Sequence, residues 1–179
     1  MSKLSKKYFE NIFRNSDSPD ELFDTFRMAV EQKITDPNLF RTLLWNRVLS
    51  PDEVMMFAEK ICKDNPDHCY KIYSWVGKIF ASVFVYGELN ERALEYYRKA
   101  AKSNPSAHEP YLAIAKFYNP ELNLPTFDSV IKTLTKGIGL VDQKSKLCFS
   151  ISKLYKNMGN TDDAKHYQKM GEKYQREGK

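Results

Sequence analysis

The stretch ALEYYRKAAKSNPSAHEPYLAIAKFY, residues 93–118, decides the fold of this chain. It interleaves six alanines with aromatic residues and is interrupted once, by Asn104-Pro105. Because proline has no amide proton to donate and its ring obstructs the preceding helical turn, Asn104-Pro105 ends one helix before another begins. The stretch therefore predicts two helices that are joined by a proline turn.

The same combination of small and aromatic residues recurs along the chain. Ala81, Ala115 and Ser152 each follow an apolar residue, precede an aromatic residue by three positions, and are spaced by 34 and then 37 positions. A second series, on the helices that follow, consists of Ala93, Val130 and Ala164, which are spaced by 37 and then 34 positions. All spacings in both series become 34 if the segment NPELNLPTFD, residues 119–128, carries three extra residues.

A 34-residue helix-turn-helix unit with small and aromatic residues at these sites resembles the tetratricopeptide repeat, TPR. The resemblance implies an all-α fold, a right-handed α-solenoid of antiparallel helix pairs in which each pair buries its apolar face against the next. Cys148 departs from the family pattern, which favours a large aromatic residue at that position. The resemblance covers residues 69–179 as three repeats, at about 69–105, 106–142 and 143–179.

Helix signals dominate the whole chain, and no convincing alternating strand pattern is present. Residues 1–68 keep less of the repeat, and we expect them to form degenerate TPR-like helical pairs or an N-terminal helical cap, continuous with the repeats as one solenoid. Ten helices are predicted, which makes five antiparallel pairs: about residues 4–15, 19–34, 37–48, 51–64, 67–87, 89–103, 107–118, 126–140, 144–158 and 161–177.

Composition places the chain among soluble globular proteins, with 42% apolar and 28% charged residues. It has neither a membrane-length apolar run nor a secretion signal, which predicts a cytoplasmic location. Cys62, Cys69 and Cys148 match no zinc-binding spacing, although Cys62 and Cys69 lie close to His68. We expect unpaired thiols and no metal or cofactor. No phosphate-binding glycine loop, nucleophile elbow or two-histidine metal motif is present, so the chain is not expected to be an enzyme.

Helical spacing predicts which side chains face the concave side of such a solenoid, where this architecture usually binds its ligand. Five lysines give that side a basic wall, which favours an extended or helical peptide that carries carboxylates. Arg41 and Trp45 extend the same side upstream. The predicted peptide-binding groove consists of Trp75, Lys78, Ser82, Glu109, Leu112, Lys116, Asn119, Lys146, Phe149, Lys153, Lys156 and Asn157.

The last helix carries a basic surface, formed by Lys165, Lys169, Lys173 and Arg176. Two interpretations are open: the polar face of a terminal cap that keeps the array soluble, or a docking surface for an acidic protein, an anionic lipid or nucleic acid. The net charge of +5 lies in this part of the chain, since residues 144–179 hold nine Lys/Arg and four Asp/Glu.

The leading hypothesis is a protein-interaction module, an adaptor, scaffold or small chaperone whose protein or peptide partner is acidic. The alternative is an RNA-binding helical-repeat protein that uses the basic last helix and the groove. Against RNA, the lysines are not arranged as one base-reading pair in each repeat. The sequence does not indicate an oligomeric state.

Overall fold

A computed structural model describes residues 4–82 and 88–178. Within these residues the chain is all-α and has no β-strand, so the predicted fold class is confirmed. The end of the fifth predicted helix, residues 83–87, lies outside the described residues. The helices are α1 (Lys6–Asn15), α2 (Pro19–Glu31), α3 (Pro37–Leu44), α4 (Pro51–Asp64), α5 (Cys69–Ser82), α6 (Glu88–Ser103), α7 (Glu109–Lys116), α8 (Phe127–Ile138), α9 (Lys144–Asn157) and α10 (Thr161–Glu177).

Polar caps fix several helix starts. The hydroxyl of Ser50 accepts a hydrogen bond from the amide of Glu53 at 3.3 Å, and the Glu53 carboxylate accepts one from the Ser50 amide at 2.7 Å. This reciprocal capping box satisfies two amides that a bare helix end would leave without partners. The Ser18 hydroxyl likewise accepts from the amide of Glu21 at 3.3 Å. Each serine precedes a proline at the first helical position, where the missing amide proton costs no hydrogen bond.

The chain divides into two compact units, Met1–Ala93 and Leu94–Lys179. In the first, α1 packs against α2 and α3, while α5 packs against α3 and α4. In the second, α7 packs against α8 and α9, and α9 also packs against α8 and α10. Each unit therefore stacks antiparallel pairs so that the first helix of one pair contacts the first helix of the next. The predicted division near residue 68 and the continuity of all pairs as one solenoid stay predictions.

The first unit is built around buried phenylalanines. The rings of Phe26 and Phe57 meet edge to face with their centroids 4.8 Å apart, and Phe40 approaches Phe26 at 6.0 Å. Phe9 and Phe13 of α1 are also fully buried. The ring contacts join α2 to α3 and α4 where the small-residue pattern of the repeats is weak.

The second unit pairs aromatic rings with glycines. A Cβ atom at Gly137 would lie 2.9 Å from Cδ1 of Tyr111, and one at Gly171 would lie 2.6 Å from Cε1 of Phe149. Cys148 occupies the repeat position of Tyr111, and the next residue, Phe149, supplies the missing ring. The aromatic contact between the two helices of the pair is thus retained one position further along.

Two of the three small residues in the first series, Ala115 and Ser152, are buried. Ala115 is buried, and the buried Ser152 hydroxyl donates a hydrogen bond to the carbonyl of Ala164 at 2.8 Å. Ala81, in contrast, is exposed to solvent. Ala81 therefore keeps the spacing of the series without being a packing site, because at this position α5 presents its small residue to water.

The segment with three extra residues forms an ordered loop between α7 and α8. The amide of Asn119 donates to the carbonyl of Leu124 at 3.1 Å, in an isolated antiparallel bridge. The backbone of Asn123 adopts a left-handed conformation, with φ of 47°. Asparagine tolerates this region better than most residues, which suits it to the turn.

Candidate functional site

A cleft of about 820 Å³ opens within the first unit, where the ends of α1 and α3 approach α5. Its walls come from three successive first helices and from the loops that follow α1 and α3. The cleft is lined by Phe13, Arg14, Asn15, Ser16, Asp17, Arg41, Thr42, Trp45, Asn46, Arg47, Trp75 and Lys78.

Two tryptophans give the cleft an apolar surface. The guanidinium carbon of Arg41 lies 5.7 Å from the ring centroid of Trp75, a cation–π distance. Trp45, at the end of α3, is 45% exposed. A large aromatic side chain held at the surface of a cleft offers contact area to a ligand, and tryptophan is enriched at such positions in interfaces.

The cleft also carries positive charge that no described carboxylate neutralises. Arg14 pairs with Glu10 at 2.8 Å, and Arg47 pairs with Asp17 at 3.1 Å. No described carboxylate side chain pairs with Arg41 or Lys78. An anionic group that entered the cleft would therefore meet two cations that no described carboxylate already pairs with.

A buried asparagine holds the wall of the cleft in place. The side-chain nitrogen of Asn46 donates to the carbonyls of Phe13 and Ser16, both at 3.0 Å. Its side-chain oxygen accepts from the amide of Val48 at 3.0 Å. Since Asn46 follows α3 and its two acceptors lie at the end of α1, these bonds fix the spacing of the two helix ends that frame the cleft.

The structure brings part of the predicted groove together here. Trp75 and Lys78 line the cleft beside Arg41 and Trp45, as their helical spacing indicates. Ser82 lies at the end of α5, outside the lining, and its hydroxyl donates to the carbonyl of Lys78 at 2.7 Å. Peptide binding by these residues stays a prediction.

The predicted groove residues of the second unit lie on two helix faces. Glu109, Leu112 and Lys116 share the exposed to half-buried face of α7. On α9, the exposed residues are Lys146, Lys153, Lys156 and Asn157. The ammonium of Lys146 lies 2.9 Å from Nε2 of the buried His108, at the start of α7, which ties the two faces together.

Two predicted groove residues have clear structural roles in the second unit. The side-chain oxygen of Asn119 accepts from the amides of Glu121 and Leu122, at 2.9 and 3.2 Å, and so closes the turn of the inserted loop. The ring of Phe149 packs over Gly171 of α10. Helical spacing alone could not separate these packing and capping roles from ligand contact.

The basic surface of α10 is exposed along its length, at Lys165, Lys169, Lys173 and Arg176. One carboxylate pairs with this surface, since Lys173 lies 3.8 Å from Glu177. Arg176 Nε donates to the backbone carbonyl of Glu172 at 3.3 Å. The opposite face, with Ala164 and Gly171, is buried against α9.

Sequence reasoning missed the part of the cleft that α1 and the two loops supply. Arg14, Asp17, Asn46 and Arg47 lie upstream of the clear repeats, where the spacing that located the other groove residues is weak. The signal that was available is Arg41 with Trp45, one helical turn apart at the end of a short apolar helix.

The described residues hold no group of three His, Cys, Asp or Glu side chains placed to bind a metal ion. Cys62, Cys69 and Cys148 are unpaired thiols. None of the helices in the described part of the chain is long and apolar enough to cross a membrane.

Comparisons with known proteins give matches at the level of structure. No family model matches the sequence, and no curated protein matches it. A crystal structure of MamA aligns with 88% of this chain and 91% of its own, at 16% identity and a TM-score of 0.54. The MamA RS-1 ArsTM double mutant aligns with 96% of this chain and 95% of its own, at 15% identity and a TM-score of 0.52. MamA MSR-1 C2 aligns with 97% of this chain and 98% of its own, at 17% identity and a TM-score of 0.50.

These matches and the stacked antiparallel pairs define the class of the protein. The chain has a TPR-like, all-α fold. Likenesses at such low identity are likenesses of fold, so the function is argued from the site itself.

Proposed function

We propose that this chain is a non-enzymatic protein-interaction module that binds an acidic peptide segment in the cleft of its first unit. The observation that carries the proposal is a pair of cations without a described carboxylate partner, Arg41 and Lys78, beside the rings of Trp45 and Trp75. A cytoplasmic location belongs to the same proposal.

The composition of the cleft favours a peptide over a small metabolite. The two cations without a described carboxylate partner, Arg41 and Lys78, lie on two different helices, α3 and α5, and the tryptophans lie beside them. Carboxylates of an extended or helical segment would meet the cations, while its apolar side chains would contact the rings. Charge complementarity of this kind raises the association rate and selects the partner more than it raises affinity.

The basic face of the second unit supports the same class of partner. Lys116, Lys153 and Lys156 are exposed there and form no ion pair with a described carboxylate. We propose that this face, taken by itself, also contacts acidic segments of a partner. An adaptor or scaffold role follows, since such a module contributes contacts rather than chemistry.

The test uses fluorescein-labelled peptides of twelve residues that differ only in charge. One peptide contains alternating Glu and apolar residues, and its partner carries Gln at every Glu position. We expect fluorescence anisotropy to show a dissociation constant about tenfold lower for the Glu peptide, a difference of about 1.4 kcal/mol. Equal binding of the two peptides would contradict the proposal.

RNA binding is the competing outcome. A labelled twelve-nucleotide oligouridylate, titrated at about 150 mM salt and at lower salt, reports it through the slope of affinity against salt. RNA binding at about 150 mM salt with a steep dependence of affinity on salt, together with no binding of the Glu peptide, would favour an RNA-binding protein.

A further inference from the structure

A second surface of the chain, separate from the basic cleft, presents apolar side chains to solvent. It lies in the second unit, where α7 is followed by the inserted loop and α9 turns into α10. Leu122 and Leu124 are 67% and 62% exposed, and Met158 is 48% exposed. We call this surface the turn patch, and define it as Tyr118, Leu122, Leu124, Phe127 and Met158.

Direct contacts join the aromatic side chains of the turn patch to one another and to Met158. The hydroxyl of Tyr118 lies 3.0 Å from the sulfur of Met158, which joins the end of α7 to the α9–α10 turn. The rings of Tyr118 and Phe127 meet at 5.4 Å, and Phe127 meets Tyr155 of α9 at 5.2 Å. These aromatic side chains form a half-buried base, and the loop that carries Leu122 and Leu124 is tied to the same end of α7 by the hydrogen bond between Asn119 and Leu124.

Backbone hydrogen bonds hold the two leucines in place. The side-chain oxygen of Asn119 accepts from the amide of Leu122 at 3.2 Å, and the amide of Asn119 donates to the carbonyl of Leu124 at 3.1 Å. The side chain of Asn123 caps the next helix by accepting from the amide of Phe127 at 3.0 Å. Because the loop is already ordered, a partner would not have to bear the entropy of ordering it.

The two turns that form the turn patch differ in charge from the unit that carries them, although the exposed Lys116 and Lys153 lie two residues before them in the chain. Residues 94–179 contain 15 Lys/Arg and nine Asp/Glu. The two turns that form the patch, residues 118–128 and 155–163, contain a single cation, Lys156. They carry four carboxylates: Glu121, Asp128, Asp162 and Asp163.

Two of these carboxylates, those of Asp128 and Asp163, lie near the aromatic base of the patch. Burial raises the pKa of the Tyr155 hydroxyl, and the nearby carboxylates of Asp163 and Asp128 raise it further. The base therefore lies within the field of both acidic side chains, one at the start of α8 and one at the start of α10.

We propose that the turn patch is a docking site for a basic amphipathic segment of a partner protein, whose apolar side chains cover Leu122, Leu124 and Met158 while its Lys or Arg side chains meet Glu121 and Asp128. An exposed apolar patch with an acidic rim is complementary to a segment with an apolar face and a basic border. This proposal does not depend on ligand binding in the cleft of the first unit.

Two other occupants fit the surface less well. The chain's own basic amphipathic helix, α10, already buries its apolar face against α9, so it has none to offer a second copy. An anionic lipid surface would be repelled by the four carboxylates around the patch. A protein segment with its own cations matches both the apolar centre and the charged rim.

The test uses two labelled peptides of fifteen residues with identical composition in Leu, Lys and Ala. One places Leu on a single helical face bordered by Lys, and the other distributes Leu around the helix. We expect anisotropy to give a dissociation constant about tenfold lower for the amphipathic peptide. Leu122→Ser/Leu124→Ser should raise that constant about tenfold without changing the melting temperature, because both side chains are exposed.

A charge-matched pair of variants separates local from global electrostatics. Glu121→Lys/Asp128→Lys should weaken binding of the amphipathic peptide several-fold at low salt. Glu172→Lys/Glu177→Lys, which makes the same charge change on α10, should not weaken it. Equal weakening by both pairs overturns the proposal, as does wild-type binding by the leucine variant. Leucine-dependent binding to phosphatidylcholine vesicles, without binding of the amphipathic peptide, would assign the patch to a membrane and also overturn it.

Discussion

The ring of Phe149 occupies the space that a side chain at Gly171 would need, since a Cβ atom there would lie 2.6 Å from Cε1 of the ring. Tyr111 stands in a similar relation to Gly137 in the preceding helix pair. The two helices of each pair therefore approach closely at a glycine, and an aromatic side chain from the facing helix fills the contact.

Gly171→Ala should destabilise the protein although alanine favours helices. The new methyl group would overpack against Phe149 at a cost of about 1 to 3 kcal/mol, against a gain in helix propensity of about 1 kcal/mol. We expect a net loss in the free energy of unfolding, measured by urea denaturation. Gly139→Ala is the control, since its Cβ would meet only a carbonyl at 3.6 Å. A Gly171→Ala variant as stable as wild type would contradict the packing described.

The small-residue contacts predict a second stability series. Ala100 and Ala115 are buried, so Ala100→Leu or Ala115→Leu should cost roughly 1 to 3 kcal/mol through overpacking. Ala81→Leu should leave the melting temperature unchanged, because Ala81 is exposed. Thermal melts of the three variants would refute the assigned register if Ala81→Leu proved the most destabilising.

Asn46 offers a test of how the cleft is held. Asn46→Ala removes both hydrogen bonds to the carbonyls of Phe13 and Ser16, and each buried acceptor left without a partner costs about 1 to 3 kcal/mol. We expect a clear shift in the denaturation midpoint, whereas Asn15→Ala, which removes only an exposed contact with Asn11, should give none. Similar midpoints for the two variants would mean that Asn46 does not fix the ends of α1 and α3.

The three thiols should differ in their reactivity. Burial raises the pKa of the Cys62 and Cys148 thiols, while Cys69 is partly exposed and donates to the carbonyl of Cys62 at 3.5 Å. Because the thiolate is the reactive form, maleimide labelling of the native protein should modify Cys69 first and the other two only on unfolding. Peptide mass spectrometry at successive times checks the order of labelling. Early labelling of Cys148 would contradict its burial on the inner face of α9.

Much of the fold could be predicted from the sequence because its determinants are local. Ser50-Pro51 and Asn104-Pro105 mark helix ends through capping and the missing proline donor, independently of the rest of the chain. The 34-residue spacing located the helix pairs because a stacked pair must repeat its contact residues. Ala81 shows the limit of that argument, since a small residue in register can still face solvent.

The candidate site was less predictable, because ligand contact and packing use the same residue types. Phe149 and Asn119 lie on the predicted face, yet one fills a helix contact and the other closes a loop. Arg14 and Arg47 reach the cleft only through the packing of α1 against α3, which spacing within one helix does not reveal. Three-dimensional contact was needed to bring them together with Arg41.

The central claim, that the cleft binds acidic peptides, has a built-in reporter. The chain contains two tryptophans, Trp45 and Trp75, and both line the cleft, so intrinsic tryptophan fluorescence reports on this site alone. We predict that an acidic peptide without tryptophan changes this fluorescence saturably, with an affinity that falls as salt is added.

The decisive measurement is this titration in two charge-matched variants. Arg41→Gln/Lys78→Gln should abolish the fluorescence change or lower the affinity for the peptide about tenfold. Lys165→Gln/Lys169→Gln, on the basic surface of α10, should bind the peptide as wild type does. A saturable change that survives loss of Arg41 and Lys78, or that disappears equally in both variants, would contradict the assignment of the cleft as the acidic-peptide site.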